Sequence, residues 1–270
     1  MFSSTAIPVG GRNLVKRHLA TISLLSISVA SGYGGVIYST GFEGAQFVVG
    51  NNINGVDGWG EFNPTDSFDA TQSTFVKTGL KAAWIIPVRT STVQTGMYHS
   101  DSTTGPLIEL SADIYLGSGT LQNEWQFAGL GGPGLAPFIG GIDVFADNSI
   151  HLITAGFASV GTFSRNVYNN VDFIFNMTTQ KYSFALNGVT VATGVAFCGD
   201  NGPCTSGIPV TSYGNSFFDV FATLNSNDLG AIDNFSLSTI NATPEPGSIL
   251  LIASGLGLLV AKSRLASRKR

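Results

Sequence analysis

The chain has 270 residues, of which 34 are glycine and only 11% are charged. This length can bury a sizeable core, but the composition is unusual for a cytosolic enzyme. Between Ser31 and Thr243, five Lys and Arg residues stand against sixteen Asp and Glu residues, a net charge of −11. Because such an acidic region repels phosphate backbones, the composition excludes nucleic acid as a partner.

The N-terminal segment has the pattern of a secretion signal. Arg12, Lys16 and Arg17 precede an apolar stretch from Leu19 to Ala30, and this stretch ends in small residues. We predict that a signal peptidase cleaves after Ala30. A buried amphipathic helix is the alternative, but the stretch has neither a polar face nor a cap. We therefore expect a signal helix over residues 1–30 and an exported domain over residues 31–241.

Alternating apolar and polar residues predict short strands through the exported domain. Residues 107–116 alternate as a half-buried strand, and Asn187-Gly188 between two alternating runs is a strong hairpin signal. Other predicted strands cover residues 36–42, 80–86, 124–130, 141–146, 171–177, 217–224 and 231–238. Ten or more strands with almost no helix close as a sandwich or barrel, and an antiparallel jelly-roll β-sandwich is the usual solution at this length.

The order of these strands resembles the concanavalin A-like lectin and laminin-G jelly rolls. The resemblance covers residues 36–240 and rests on a Trp- and Phe-rich strand, the Asn-Gly hairpin and the closing strand AIDNFSLS. It implies that the last strand returns beside the first. If it does, Glu43 and Asp233 converge on one structural Ca²⁺, because carboxylate oxygens are its preferred ligands. In the alternative, Asp233 satisfies only a local turn.

Aromatic and acidic side chains are candidates for sugar binding and for catalysis. Trp59 and Trp125 stack on sugar rings if they are exposed, whereas Trp84 belongs to the core. Glu109 and Asp113 share one face of a strand, but four residues at ~3.3 Å separate them by ~13 Å, too far for a glycosidase pair. Motifs of serine hydrolases and zinc proteases are absent from the sequence, and we predict no catalytic residues.

The two cysteines, Cys198 and Cys204, lie in the glycine- and proline-rich segment CGDNGPC. Export places them in an oxidising compartment, so we predict a disulfide, with free thiols as the alternative. Their spacing is not that of a CxxC redox motif. A zinc site would need two further ligands, and only His99 and His151 remain after signal removal.

The C-terminal tail, residues 242–270, combines three features. Pro244, Glu245 and Pro246 are followed by an apolar run over residues 247–261 and by five basic residues. The run is short for a membrane span of ~20 residues, and the basic end is expected to stay in the cytoplasm. An ordinary single-span anchor is the alternative interpretation.

This tail resembles the PEP-CTERM sorting domain of exopolysaccharide-producing Gram-negative bacteria. The resemblance implies that an exosortase recognises the tail, cleaves near Pro244-Glu245-Pro246 and releases the protein from its membrane helix. The motif is then a substrate and not an active site. It also implies an inner-membrane intermediate and a final location at the cell surface or in the extracellular matrix.

Three function classes remain open. The preferred one is a non-catalytic surface or matrix protein whose β-sandwich binds carbohydrate. The second is a secreted polysaccharide hydrolase or lyase with an unrecognised set of carboxylates. The third is a structural adhesion module that binds proteins.

Overall fold

A computed structural model describes residues 34–87, 93–117, 124–132, 137–156, 158–200, 204, 209–222 and 228–240. The predicted signal over 1–30 and the tail over 242–270, including Pro244, Glu245 and Pro246, lie outside the described residues. No helix among the described residues is long and apolar enough to cross a membrane.

The described residues form fifteen β-strands in two antiparallel sheets. Their bounds are β1 Val36–Thr40, β2 Trp59–Phe62, β3 Ser67–Gln72, β4 Ala82–Pro87, β5 Val93–Thr103, β6 Leu107–Leu116, β7 Glu124–Gly131, β8 Phe138–Val144, β9 Ser149–Leu152, β10 Ser159–Thr162, β11 Tyr168–Asn176, β12 Lys181–Leu186, β13 Val189–Ala196, β14 Tyr213–Ala222 and β15 Gly230–Ile240. The predicted all-β antiparallel sandwich is confirmed.

The strand order places the first and last strands side by side. Sheet I has the order β13-β12-β11-β6-β15-β4-β3, and β1 also pairs with β15, as expected. Sheet II has the order β10-β9-β8-β7-β14-β5-β2. Strands β7, β14 and β5 are therefore neighbours in sheet II, although β14 is far from the other two in the sequence.

Strand periodicity explains why these segments pair as they do. In β6, Ile108, Leu110 and Ala112 are fully buried while the residues between them are half-buried, so the predicted two-faced strand is confirmed. The turn between β12 and β13 has φ of +51° at Asn187 and +77° at Gly188. Positive φ at both central residues is the type I′ geometry that continues the twist of the two strands.

Aromatic rings fill the space between the sheets. Phe127 of sheet II packs against Phe173 of sheet I at a ring-centre distance of 5.9 Å. The hydroxyl of Tyr182 in sheet I donates to the carbonyl of Gly141 in β8. A side chain at Gly140 would place its Cβ 2.4 Å from the Tyr182 ring, so a glycine here allows the sheets to approach closely.

Candidate functional site

The disulfide between Cys198 and Cys204 is confirmed, with its sulfur atoms 2.13 Å apart. It packs with Ala128 and Ile153 as a small buried cluster. Asp200 lies close to both sulfurs, but its Oδ1 accepts a hydrogen bond from the Cys204 backbone N–H at 2.8 Å. Disulfide sulfurs are not thiolates, so this group has no metal-ligating sulfur.

Glu43 and Asp233 lie beside the same loop, residues 77–81, but backbone donors occupy their carboxylates. Oε1 of Glu43 accepts from the N–H groups of residues 80 and 81 at 2.6 and 2.8 Å. Oδ2 of Asp233 accepts from those of residues 77 and 78 at 2.9 and 3.0 Å, and Oδ1 from that of residue 234. The two carboxylates hold the loop through hydrogen bonds from its backbone N–H groups, which is not the arrangement of a calcium site.

Lys81 supplies a positive charge at this corner. Its Nζ donates to the carbonyl oxygens of Glu43, Gly44 and Phe47 at 3.3, 3.2 and 2.9 Å. Backbone carbonyls in such an arrangement commonly hold Ca²⁺ in proteins. Because an ammonium group already fills this position, these residues do not fit the predicted structural Ca²⁺.

The predicted sugar-binding tryptophans are buried. Trp59 is 3% exposed and packs against Phe42 and His99, and Trp125 is 1% exposed and stacks on Phe218. Neither indole face is accessible to a ligand, so the prediction that they stack on sugar is wrong. Both belong to strands whose alternation turns these positions into the core.

Trp84 is partly buried on the outer face of sheet I, next to the Phe75 ring. The prediction that Trp84 belongs to the core is therefore wrong. Glu109 and Asp113 lie on the same outer face and have local partners. Glu109 accepts from the Ser238 hydroxyl at 3.1 Å, and Asp113 accepts from the side chain of Asn234 at 2.7 Å.

A row of polar side chains crosses the outer face of sheet II. Asp219 of β14, Gln126 of β7 and Asp143 of β8 occupy neighbouring register positions, and we call these three residues the polar row. Each lies between two core residues of its own strand, so it points away from the core. The exposed fractions of Asp219, Gln126 and Asp143 are 0%, 6% and 1%.

Burial governs the ionisation of the polar row. It raises the pKa of Asp143 to about 7, against a hydrogen bond from Gln126 to Oδ1 at 2.8 Å that lowers it. Burial also raises the pKa of Asp219 well above its usual range, and the charges of Asp143 and Glu124 add to this rise. The pKa of Glu124 is raised by burial as well, and the charge of His151 partly opposes the rise. Two short carboxyl side chains thus tend to remain protonated near neutral pH.

Aromatic rings border the polar row on the same face. Phe217, two residues before Asp219 on β14, is 3% exposed and packs against the ring of Phe62 at 5.7 Å, so it supports this face from below. Tyr98 is the register partner of Phe217 on β5 and is half-buried. Phe221, two residues after Asp219, is 39% exposed. Flat apolar rings beside hydrogen-bonding groups suit the apolar face and the hydroxyl groups of a sugar ring.

An open polar cleft of about 420 Å³ continues this face beyond Phe217. Its size lies within the range of small-ligand pockets. Small and polar residues of β5, β14 and the adjoining loops line it: Ser100, Asp101, Ser102, Gly132, Ser212, Gly214 and Asn215. We call the outer face of β7, β8, β14 and β5 together with this cleft the sheet II face.

The sequence holds one signal for this site, which none of the predictions above used. The segment FFDVFA places Phe217, Asp219 and Phe221 on one side of a strand, with the core residues Phe218 and Val220 on the other. An acid between two aromatic residues on the outer side of a strand is unusual. Assigning it to a site required the pairing of β14 with β5 and β7, which only the structure provides.

Comparison with known proteins identifies the fold. The chain matches no family model and none of the curated proteins. It is similar to the structure of Cip1, a cellulose-induced protein, with a TM-score of 0.53 and 14% identity over 74% of this chain and 96% of that one. It is also similar to an endo-β-1,4-glucuronan lyase from the fungus Trichoderma reesei, with a TM-score of 0.52 and 11% identity over 77% and 98%.

A sialidase is similar at a TM-score of 0.52 and 9% identity, over 68% of this chain, and the chain spans 17% of its length. At such low identities these similarities show a shared β-sandwich fold. They carry no information on which residues bind or react.

Proposed function

We propose that the chain is an exported protein of a Gram-negative bacterium that an exosortase sorts to the cell surface or the exopolysaccharide matrix, where its β-sandwich binds polysaccharide without cleaving it. The signal-like residues 1–30 and the tail with Pro244, Glu245 and Pro246 support the sorting part. The disulfide is compatible with an oxidising compartment.

One observation carries the binding part of the proposal. The sheet II face combines the half-buried ring of Tyr98 and the 39% exposed ring of Phe221 with a cleft lined by hydroxyl, amide and backbone groups. A long polymer can lie across neighbouring strands, with its rings on the aromatic side chains and its hydroxyls in the cleft. Cip1 and the glucuronan lyase, which share the fold, are named for cellulose induction and for action on a polysaccharide, which is consistent with this proposal.

A binding array tests the proposal. The full-length chain, purified in detergent, is applied to a panel of immobilised neutral and acidic polysaccharides, and saturable binding to at least one of them is expected. Phe221→Ala should weaken this binding roughly fivefold, because a ring contact contributes about 1 kcal/mol. Phe68→Ala is a matched control, since Phe68 is also 39% exposed but belongs to sheet I. No binding to any polysaccharide, or an equal loss in both variants, would refute the proposal.

A second candidate is a polysaccharide hydrolase or lyase, and the raised pKa values of Asp143 and Asp219 favour it, since perturbed carboxyls cluster at active sites. Their burial argues against it, because a carboxyl with 0% or 1% exposure does not touch a substrate. The same incubations are therefore assayed for new reducing ends and for unsaturated sugar products. Release of either product that is lost in Asp143→Asn would establish the enzyme.

A further inference from the structure

The polar cleft and the start of the C-terminal tail share one end of the sandwich. Ile240, the last residue of β15, is the register partner of Leu107, with which β6 begins. Only residues 104–106 separate Leu107 from Thr103, the last residue of β5. The connection from sheet II to sheet I therefore lies beside the point where the chain leaves the sandwich, and we call this end the tail end.

The cleft belongs to the tail end on the side of sheet II. Thr103 is the register partner of Tyr213, the first residue of β14. Ser102 and Ser212, which directly precede these two residues in the chain, both line the cleft. The cleft is therefore built from the residues of sheet II that are nearest to the tail.

Contacts between the two sheets support this placement. A side chain at Gly105 would place its Cβ 2.7 Å from Cγ2 of Thr239, the residue before the end of β15. On the β14 side of the cleft, the backbone N–H of Val210 donates to Oε1 of Gln180 at 2.7 Å. Gln180 belongs to the turn after β11, and β11 ends beside Leu107. Both sides of the cleft are thus joined to the tail end of sheet I.

The ring of Phe221 lies towards the opposite end of the sandwich. It follows Tyr213 by eight residues of β14, which corresponds to about 26 Å at ~3.3 Å per residue. The turn that contains Asp147 is also at this far end. It follows β8, whose last residue pairs with Trp125, and Trp125 in turn pairs with Val220. We call this the far end.

The length of chain after β15 limits how far the tail end can move from the bilayer while the tail is in the membrane. Residues 241–246 lie between Ile240 and the apolar run over residues 247–261, which is predicted to enter the membrane. Six fully extended residues span at most about 20 Å. Because the cleft is at the tail end, rotation of the domain about this short connection does not move the cleft far from the bilayer surface, whereas the far end is free to point away from it.

We infer that membrane anchoring keeps large polysaccharides out of the cleft and that removal of the tail opens the cleft to them. This inference rests on the proposed function and adds the regulation of the same site. A matrix polymer is a large coil, which loses conformations in a gap of about 20 Å, whereas a small molecule enters freely. A detergent micelle is small and curved, so the binding array described above tests binding without this obstacle.

Thiol labelling measures access to the cleft without the need for a ligand. Ser102→Cys places a thiol at an exposed position of the cleft, and Asp147→Cys places one at the far end, where Asp147 is fully exposed. The two native cysteines form the disulfide, and the sequence contains no others. Both full-length variants are expressed in a Gram-negative host that lacks exosortase. Spheroplasts are then treated with a small maleimide or with a maleimide that carries a large polyethylene glycol chain.

The large reagent should discriminate between the two positions. Its labelling rate, divided by that of the small reagent, should be at least about fivefold lower for Ser102→Cys than for Asp147→Cys, a difference of about 1 kcal/mol in reaching the thiol. A spacer of about 40 Gly and Ser residues inserted after Ile240 should remove the difference, because a flexible chain of that length adds about 35 Å of reach. Ser212→Cys, also in the cleft, gives the same comparison if Ser102→Cys does not fold.

The outcomes separate the inference from the function on which it rests. Equal relative labelling of the two thiols in the anchored chain, or a difference that the spacer leaves unchanged, overturns the inference and leaves polysaccharide binding in place. Absence of the chain from the membrane fraction overturns the inference together with the sorting part of the proposed function. Failure to bind any polysaccharide of the array overturns the binding part, whatever the labelling shows.

Discussion

Replacing Asp143 by Asn should change how the stability of the domain depends on pH. Burial raises the pKa of Asp143 from 3.8 to about 7 in the folded protein, whereas the unfolded chain ionises near the ordinary value. Between these two values the unfolded state releases a proton that the folded state keeps, so raising the pH favours unfolding. The stability contributed by the protonated carboxyl is complete below pH 4 and is lost as the pH rises through about 7.

The size of the effect follows from the pKa. The rise of the Asp143 pKa from 3.8 to about 7 lowers the free energy of unfolding by up to about 4 kcal/mol at pH 7 and above. Water penetration and relaxation of the protein reduce this figure. Asn keeps the shape of the side chain and an oxygen to accept from Gln126, but it does not ionise. Asp143→Asn should therefore be more stable than the wild type at pH 8 and closest to it at pH 4.

Urea denaturation at pH steps from 4 to 8, followed by the fluorescence of the buried Trp59 and Trp125, measures this difference. Other buried acids also titrate, including Asp69, whose pKa burial raises to about 8, but they contribute to both proteins and largely cancel. Asp147→Asn is the control, because Asp147 is fully exposed and hydrogen bonds from Ser149 lower its pKa. Its effect should be confined to acidic pH. If wild type and Asp143→Asn run parallel from pH 4 to 8, Asp143 is ionised in the folded protein and the account of the polar row is wrong.

Further predictions concern Lys81, the response to calcium and the C-terminal tail. Lys81→Met should lower the free energy of unfolding by about 2 kcal/mol, because three carbonyls lose a charged donor, while the exposed Lys181→Met should change it by less than about 0.5 kcal/mol. Thermal melts of the wild type should not respond to a calcium chelator, and a drop in midpoint that added Ca²⁺ reverses would contradict this account. Glu245→Ala should leave the chain unprocessed in the membrane of a host that contains exosortase, as immunoblots of membrane and secreted fractions would show, whereas unchanged release would argue for another route.

The all-β architecture was predictable because its signals are local. Strand periodicity in β6 and the Asn187-Gly188 turn depend on residues that are neighbours in the sequence. The bounds of β14 and β15 differ from those predicted by a few residues. Strand β5 was missed because VQTGMYHSDST has few apolar residues to alternate, and it is held in the sheet by its pairing with β14 on one side and β2 on the other.

The candidate site was less predictable because its members meet through long-range pairing. Asp143 and Asp219 are 76 positions apart in the sequence, yet each is a register neighbour of Gln126. Conversely, Trp59 and Trp125 were predicted to bind sugar on residue type alone. Their positions in the alternating pattern of their strands place both side chains in the core. A shift of one residue in strand register moves every side chain of the strand to the opposite face. Residue type without register is therefore weak support for a surface site.

The loop of residues 73–81 explains why the two outer faces of the sandwich differ. The ring of Phe75 stacks on Tyr115 of sheet I at 4.9 Å, and the hydroxyl of Tyr168 donates to the Phe75 carbonyl. Glu43 and Asp233 hold the far end of the same loop through backbone N–H groups.

The carboxylates predicted to bind Ca²⁺ therefore fix a loop over the aromatic side chains of sheet I, which removes Tyr115 and Tyr168 as a stacking surface for sugar. On sheet II, by contrast, the polar cleft of about 420 Å³ lies towards one end of β14 and the 39% exposed ring of Phe221 towards the other, with the buried Phe217 and Asp219 between them. A polymer that bound to sheet I would have to displace a loop held by four backbone hydrogen bonds, whereas the cleft and the Phe221 ring of sheet II are open to solvent. This difference is the physical reason to direct the binding variant to Phe221.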